Sequence, residues 1–445
     1  MNSNSGIKNL SLKSILHNDS FVLWNISVVS PNKSIENAFV AISNGKIINI
    51  GSLQDYNKSA NYADWPKIEL ENYILAPGFI NAHTHVAMSA FQNLCYYSDL
   101  NWQRVFKKES KINSNNIEAL SNPSIYSAVR SGVVGFVDHY YFSSSVGKAF
   151  DKWGVKALIG ESIADQGGAF PNNQSFERAK EQLNWTAKNC SSNIQNILCP
   201  HASDTVSKQL FKKILDLSKS ENLGLHYHLA QSKKEYDYAK KEYGKTPTEY
   251  LNNLGLITDQ TLAVHCLFLE ETDFKILKSQ GAMVGVCPLS QMSFEKLVDL
   301  KTIMNLNIPW SLGTDAVGFN DHMDIIEEMR ICSIMSKELN LEKDFHLQAL
   351  SAATKNLAKY FNLKQKWNFS GTLEEGDSAD CIFIKKDMRI APITDLKKTL
   401  VYSVNSSHIQ HVMVNGDWVL FDQKPVKVSE EEMEKDYQLA CKVIL

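Results

Sequence analysis

Apolar and polar residues alternate along this chain in two styles. At both ends the apolar stretches are short and broken by turn residues. "FVLWNISVVS" (21–30), "AFVAISNGKIINIGS" (38–52) and "KIELENYILAPGFI" (67–80) read as strands, and Asn-Gly at 44–45 between apolar runs signals a hairpin. "GTLEEGDSADCIFIKKD" (371–387) and "IQHVMVNGDWVLFDQ" (409–423) repeat that style, with a second Asn-Gly at 415–416. The two ends predict one small β-sandwich domain assembled from residues 1–76 and 371–445.

Between them, residues 77–370 alternate apolar runs with longer, polar, helix-compatible stretches. The runs are "LAPGFINAHTH", "GVVGFVD", "VKALIGES", "IQNILCPH", "LGLHYHLAQ", "LAVHC", "AMVGVCP" and "IPWSLGTD". Strand alternating with helix implies a parallel sheet, and eight such units predict a (β/α)8 barrel of the TIM type, an α/β fold. A doubly wound open sheet is the alternative, but no glycine-rich phosphate loop follows the first strand. Each run closes on a polar or reactive group: His83/His85, Asp138/His139, Glu161, His201, His228, His265, Ser290 and Asp315. A barrel gathers its chemistry at the C-terminal ends of its strands, so these groups are predicted to meet on one face.

Composition narrows the partners. Hydrophobic residues make up 44% and charged ones 21% of the 445, as in ordinary globular chains, and the net charge of −3 gives no footprint for nucleic acid. No apolar run reaches the roughly 20 residues that span a bilayer, and the polar start lacks a secretory core. The eight cysteines are scattered without a CxxC pair, which reads as reduced thiols in a cytoplasmic protein.

Zinc and iron(II) take imidazole and carboxylate ligands, and a catalytic site leaves one position open for water. His83 and His85 lie two apart on a strand, so both face one ion. His228 and Asp315 complete a set from the first, fifth and eighth runs. His226 belongs to the same HxH, and periodicity does not separate it from His228. His201 and His265 remain for an outer shell around the ion or for substrate contact, with His139 and Tyr140 balanced between pocket wall and packing. One divalent ion held this way brings its water's pKa to about 7. Asp315 takes that water's proton during attack at an electrophilic carbon. Glu161 reads as structural, and of the adjacent Glu327 and Glu328 at least one reads as solvated or paired with an arginine. The aromatic stretch "FQNLCYYSDLNW" (91–102), which ends at Trp102, offers a stacking wall for a substrate.

These motifs resemble the amidohydrolase superfamily, in the branch of triazine hydrolases and of adenosylhomocysteine, aminopurine and pterin deaminases. "LAPGFINAHTH" is similar to its first metal motif, and "HLAQSKKEYDYAKKEYGKTPTEYLNNLGL" to the segment around its third histidine. "AVHC", "VCPLSQ", "LGTDAVGFNDHMDIIEEMR" and "GTLEEGDSADCIFIK" follow in family order. The resemblance implies one divalent metal, zinc first and iron second, on His83, His85, His228 and Asp315, with His265 beside it. It selects His228 over His226, because the family histidine opens the "HLA" motif. It also implies a small heterocyclic substrate, a homodimer, and hydrolytic deamination of a purine, pterin or triazine. His201, Trp102, Ser290 and Asn320 are the expected substrate contacts.

Three departures stand out. The family glutamate after "HLA" is Gln231, which hydrogen-bonds but does not titrate. "VCPLSQ" places Val286 and Gln291 where the family has His and Asn, and "FND" (319–321) replaces Ser-Asn-Asn. The resulting expectation is an aminohydrolase with an unusual substrate. The alternatives are loss of a different group, such as an alkylamine or halide, and a barrel without catalysis.

Overall fold

The computed structural model describes residues 19–58, 60–93, 102–170, 174–341 and 344–445, apart from the side chains of 102–104 and 364. Eight parallel strands form the barrel: β1 Phe79–Thr84, β2 Val133–Tyr140, β3 Lys156–Ile163, β4 Cys199–Pro200, β5 Leu225–Leu229, β6 Thr261–His265, β7 Met283–Val286 and β8 Trp310–Leu312. Pairing runs unbroken from β1 to β4 and from β5 to β8. The bridges Leu198↔Leu225 and Thr84↔Asp315 join the two halves and close the ring. Every residue of these strands is buried. That explains the near-continuous apolar runs, since a strand covered on both faces has no polar side to show.

The chain ends build one nine-stranded sheet, in which Tyr73–Pro77 pairs antiparallel with Cys381–Lys385, Phe383 opposite Leu75. Alternation divides its side chains between two cores. Leu75, Cys381, Phe383 and Met413 join the sheet's own cluster, whereas Ile74, Ala76, Ile382, Ile384 and Val412 join the barrel's. The C-terminal segment thus clamps the strand that leads directly into β1, and with it His83 and His85. Buried Lys156 on β3 adds a polar tie through Asp380, the Ser378 hydroxyl (2.9 Å) and the Trp367 carbonyl (3.1 Å).

The helix Lys233–Tyr243 after β5 begins where Ser232 accepts a hydrogen bond from the Glu235 amide, and ends at Gly244 with φ 65°. Its first turn forms part of the cavity described next. No helix among the described residues is long and apolar enough to cross a membrane.

Candidate metal centre

His83 and His85 leave the end of β1 on the same side, as alternation requires, and the barrel brings His228, His265 and Asp315 to them. His85 Nε2 stands 3.2 Å from His228 Nε2 and 3.4 Å from Asp315 Oδ1. His83 Nε2 lies 3.5 Å from Asp315 Oδ1, and His265 Nε2 3.9 Å from Asp315 Oδ2. Ligand atoms about 2.0–2.1 Å from a tetrahedral zinc stand roughly 3.3 Å apart, so this spacing suits one shared ion.

The hydrogen bonds behind the rings make the same point. His85 Nδ1 donates to the His139 carbonyl, and His228 Nδ1 donates to the His201 carbonyl at 3.0 Å. A carbonyl only accepts, so both rings carry a hydrogen on Nδ1, and in their neutral form they face one another with bare Nε2 lone pairs. Two lone pairs at 3.2 Å repel unless a cation lies between them. His83 Nε2 is buried with no hydrogen-bond partner. The donor set therefore fits a divalent metal.

His226 serves the site from behind. Its Nε2 lies 2.8 Å from His83 Nδ1, and its Nδ1 lies 3.6 Å from the Cys199 sulfur, which orients His83 with Nε2 towards the cluster. Removal of such a supporting partner typically costs 10–100-fold in metal affinity. His226→Leu is expected to show that loss in a competition titration with a chromophoric chelator.

Backbone strain marks the same strand ends. His265 (φ 74°) and Asp315 (φ 63°) occupy the left-handed region without being glycine. Gly313 lies so close to β1 that a Cβ there would stand 2.8 Å from the His83 amide nitrogen. Asp138, at the end of β2, accepts from Thr84 Oγ1 (2.8 Å) and the Val86 amide (2.9 Å), fixing the turn around His85.

A cavity of about 330 Å³ opens above the cluster, and His201, Gln231, His139 and Tyr140 stand in its wall. His201 Nδ1 lies 2.8 Å from Thr205 Oγ1, and burial lowers its pKa to about 4. Two residues expected at the substrate are not in that wall. Ser290 instead donates to Asp315 Oδ2 at 2.6 Å. Asn320 donates to the Thr314 carbonyl (2.6 Å) and to Glu328 Oε1 (3.0 Å), so it holds the loop after β8 from beneath. Trp102 heads the helix Trp102–Glu109, but its side chain and residues 94–101 of the aromatic stretch lie outside the described residues. Glu161 accepts from the Ser143 amide (2.9 Å) and Arg178 Nε (2.6 Å), a structural pairing. Glu328 is fully buried and its burial raises its pKa.

Sequence reasoning missed two carboxyls in the cavity wall, Glu109 and Asp204. Glu109 is 4% exposed and accepts a hydrogen bond from the Tyr140 hydroxyl at 2.7 Å. Burial pushes its carboxyl up to about 7, against the pull of that bond. A carboxyl with a raised folded-state pKa favours the fold when protonated, and that contribution is lost as pH rises from about 4.5 to 7. Glu109→Gln, neutral at every pH, is expected to gain about 3 kcal/mol over the parent at pH 8 and almost nothing at pH 4. Urea unfolding at both pH values measures the difference.

The sequence matches the amidohydrolase family over residues 74–419. It is 31% identical to a 5'-deoxyadenosine deaminase of Methanococcus maripaludis, over 84% of this chain and 88% of the relative. A 5-methylthioadenosine/S-adenosylhomocysteine deaminase of Pyrococcus furiosus is 28% identical over 89% of this chain and 95% of its own length. Among solved structures, a zinc-bound adenosine deaminase from Xanthomonas campestris superposes with a TM-score of 0.88, at 22% identity over 95% of this chain and 98% of the other. A zinc complex of atrazine chlorohydrolase from Arthrobacter aurescens superposes with a TM-score of 0.82, at 16% identity over 95% and 100%.

Proposed function

The chain belongs to the amidohydrolase family, and we propose that it is a metal-dependent aminohydrolase releasing ammonia from an amino-substituted N-heterocycle, an adenine nucleoside first. The observation that carries this reading is the pair of bare imidazole nitrogens at 3.2 Å, flanked by the unpartnered His83 Nε2 and by Asp315. In this reading His83, His85, His228 and Asp315 hold one zinc ion per chain. When bound, the ion supplies Lewis acidity and a water acidified to a pKa of about 7.

The remaining work falls to side chains. Asp315 takes the attacking water's proton, with Ser290 fixing the orientation of its carboxylate. His265, at 3.9 Å from Asp315, steadies the charge that develops there. His201 and Gln231 meet the ring by hydrogen bonds, and Glu109 accepts from hydroxyl groups of the substrate's sugar or tail. The enzyme acts as a cytoplasmic homodimer in this proposal, and light scattering tests the assembly.

Ammonia release by metal-loaded protein across adenosine derivatives, aminopurines, pterins and aminotriazines tests the reading. Release confined to adenosine derivatives is the expected result. Gln231 favours one second reading, hydrolytic loss of an alkylamine or halide, which needs less proton assistance. Silence towards every amine with turnover of a chloro- or alkylamino-triazine would establish that alternative. A metal-loaded protein that turns over none of them would be the barrel without catalysis.

A further inference from the structure

Loss of an amino group from an aromatic ring needs protons at two places, the ring nitrogen beside the attacked carbon and the departing nitrogen. Asp315 sits at the ligand cluster, where it meets the water. Gln231 faces the cavity but neither gains nor loses a proton. A second titratable group in the wall can supply a proton there, and besides Asp315 the carboxyls lining it among the described residues are Asp204 and Glu109.

Asp204 is such a group. It lies on the loop after β4, and it lines the cavity together with Gln231, Ser232 and Lys234. Buried Glu235 holds this corner together, accepting from the Ser203 hydroxyl at 2.7 Å and from the Gln231 amide at 2.9 Å. One carboxyl thus ties the residue before Asp204 to the Gln231 backbone, which sets the two chain positions relative to each other. Among the described residues no neighbouring side chain hydrogen-bonds the Asp204 carboxyl, which its own backbone amide engages.

The charges around it matter. Lys234 and Tyr238 from the helix Lys233–Tyr243 line the same wall, His201 precedes Asp204 on its own loop, and Glu235 lies behind. Burial raises the Asp204 pKa, and the Lys234 ammonium pulls it down. Burial raises Glu235 as well, and the Asp204 charge raises it further. Two coupled carboxyls of this kind retain a proton further towards neutrality than isolated ones do. Glu109 lines the same cavity, but its Oε1 already accepts the Tyr140 hydroxyl at 2.7 Å.

We infer that Asp204 is the proton donor of the reaction proposed above, supplying from the β4 loop the titratable carboxyl that Gln231 lacks; the inference rests on that reading of the site. Protonated Asp204 gives its proton to the ring nitrogen as the C=N electron pair moves onto that nitrogen and the water oxygen bonds to carbon. The proton lost by water passes by way of Asp315 to the exocyclic amine. The C–N bond breaks with its electron pair and ammonia leaves. The hydroxyl proton of the ring adduct returns to Asp204 as the carbonyl forms. One water is consumed, one ammonia is released, and both carboxyls end as they began.

The test compares the parent, Asp204→Asn, Asp204→Glu, Gln231→Glu and the double variant Asp204→Asn/Gln231→Glu. The probes are adenosine, 5'-deoxyadenosine and S-adenosylhomocysteine, and thermal melting checks the fold of each protein. Asp204→Asn is expected to lower kcat by about 10²–10³ with little change in KM, the scale of general acid catalysis. Asp204→Glu should retain part of the activity, and adding Gln231→Glu to Asp204→Asn should recover at least tenfold. The parent's kcat should also fall as pH rises through the Asp204 pKa, and this limb should move in the recovered double variant. A structural role would produce neither the recovery nor the moved limb. Activity of Asp204→Asn within threefold of the parent overturns the inference, as does a loss that Gln231→Glu leaves unrepaired. A silent parent beside an active Gln231→Glu overturns it while sparing the functional reading. Silence of all five proteins overturns both.

Discussion

Asp315→Asn will release ammonia at least about 10³-fold more slowly than the parent, and its bound metal will fall with it. Both carboxylate oxygens are committed. Oδ1 lies 3.5 Å from His83 Nε2 and 3.4 Å from His85 Nε2, and Oδ2 accepts the Ser290 hydroxyl at 2.6 Å. The Asn amide oxygen keeps the Ser290 bond if it takes the Oδ2 place. Its NH2 then points at the ligand cluster, where a donor replaces an anionic ligand. Reversal of the amide restores an oxygen to the cluster and lets the Ser290 hydroxyl accept from the NH2, but it still removes the charge and the base. Either orientation loses proton transfer from water, so retention of the metal alone would not restore turnover. A coupled ammonia assay with metal analysis on the same sample decides the matter. Turnover within tenfold of the parent would remove Asp315 from the chemistry.

The barrel was legible because burial on both faces leaves its strands largely apolar, with most of their polar groups near the C-terminal ends, where side chains emerge into the cavity. Hence the closing residues of the runs contained most of the cluster. His226 shows the limit of that logic. It shares strand parity with His228 and is as deeply buried, and only depth along β5 makes one a ligand candidate and the other the support of His83. Ser290 and Asn320 follow β7 and β8, from which a barrel's loops are expected to reach a substrate. Their loops fold into the short helices Pro288–Phe294 and Val317–Asn320, which turn one hydroxyl onto Asp315 and one amide onto Glu328. Nothing in spacing reveals Glu109 or Asp204, since a carboxyl in a polar stretch looks solvated until tertiary packing buries it. Glu328, next to the partly exposed Glu327, hides for the same reason.

Stripping the protein with dipicolinate will reduce ammonia release to the level of Asp315→Asn, and one equivalent of zinc or iron(II) will restore it. The cluster is built in advance, because carbonyls orient His85 and His228 and His226 orients His83. Gly313 lies so close to the His83 backbone that a Cβ there would collide with it. Removal of the ion therefore leaves bare nitrogens opposed at 3.2 Å in a frame that does not collapse, and refilling needs no refolding. The stripped protein should also melt at lower temperature, since an ion present at about 1,000 times its Kd adds roughly 4 kcal/mol to the folded state. His83→Ala separates metal binding from a general effect of the chelator. It lacks one ligand atom, so one equivalent of zinc will restore neither its activity nor its melting temperature. Full turnover by chelated protein with no residual metal would instead show that the attacking water is activated without an ion, and His265 with Asp315 would then be the pair to which that task falls.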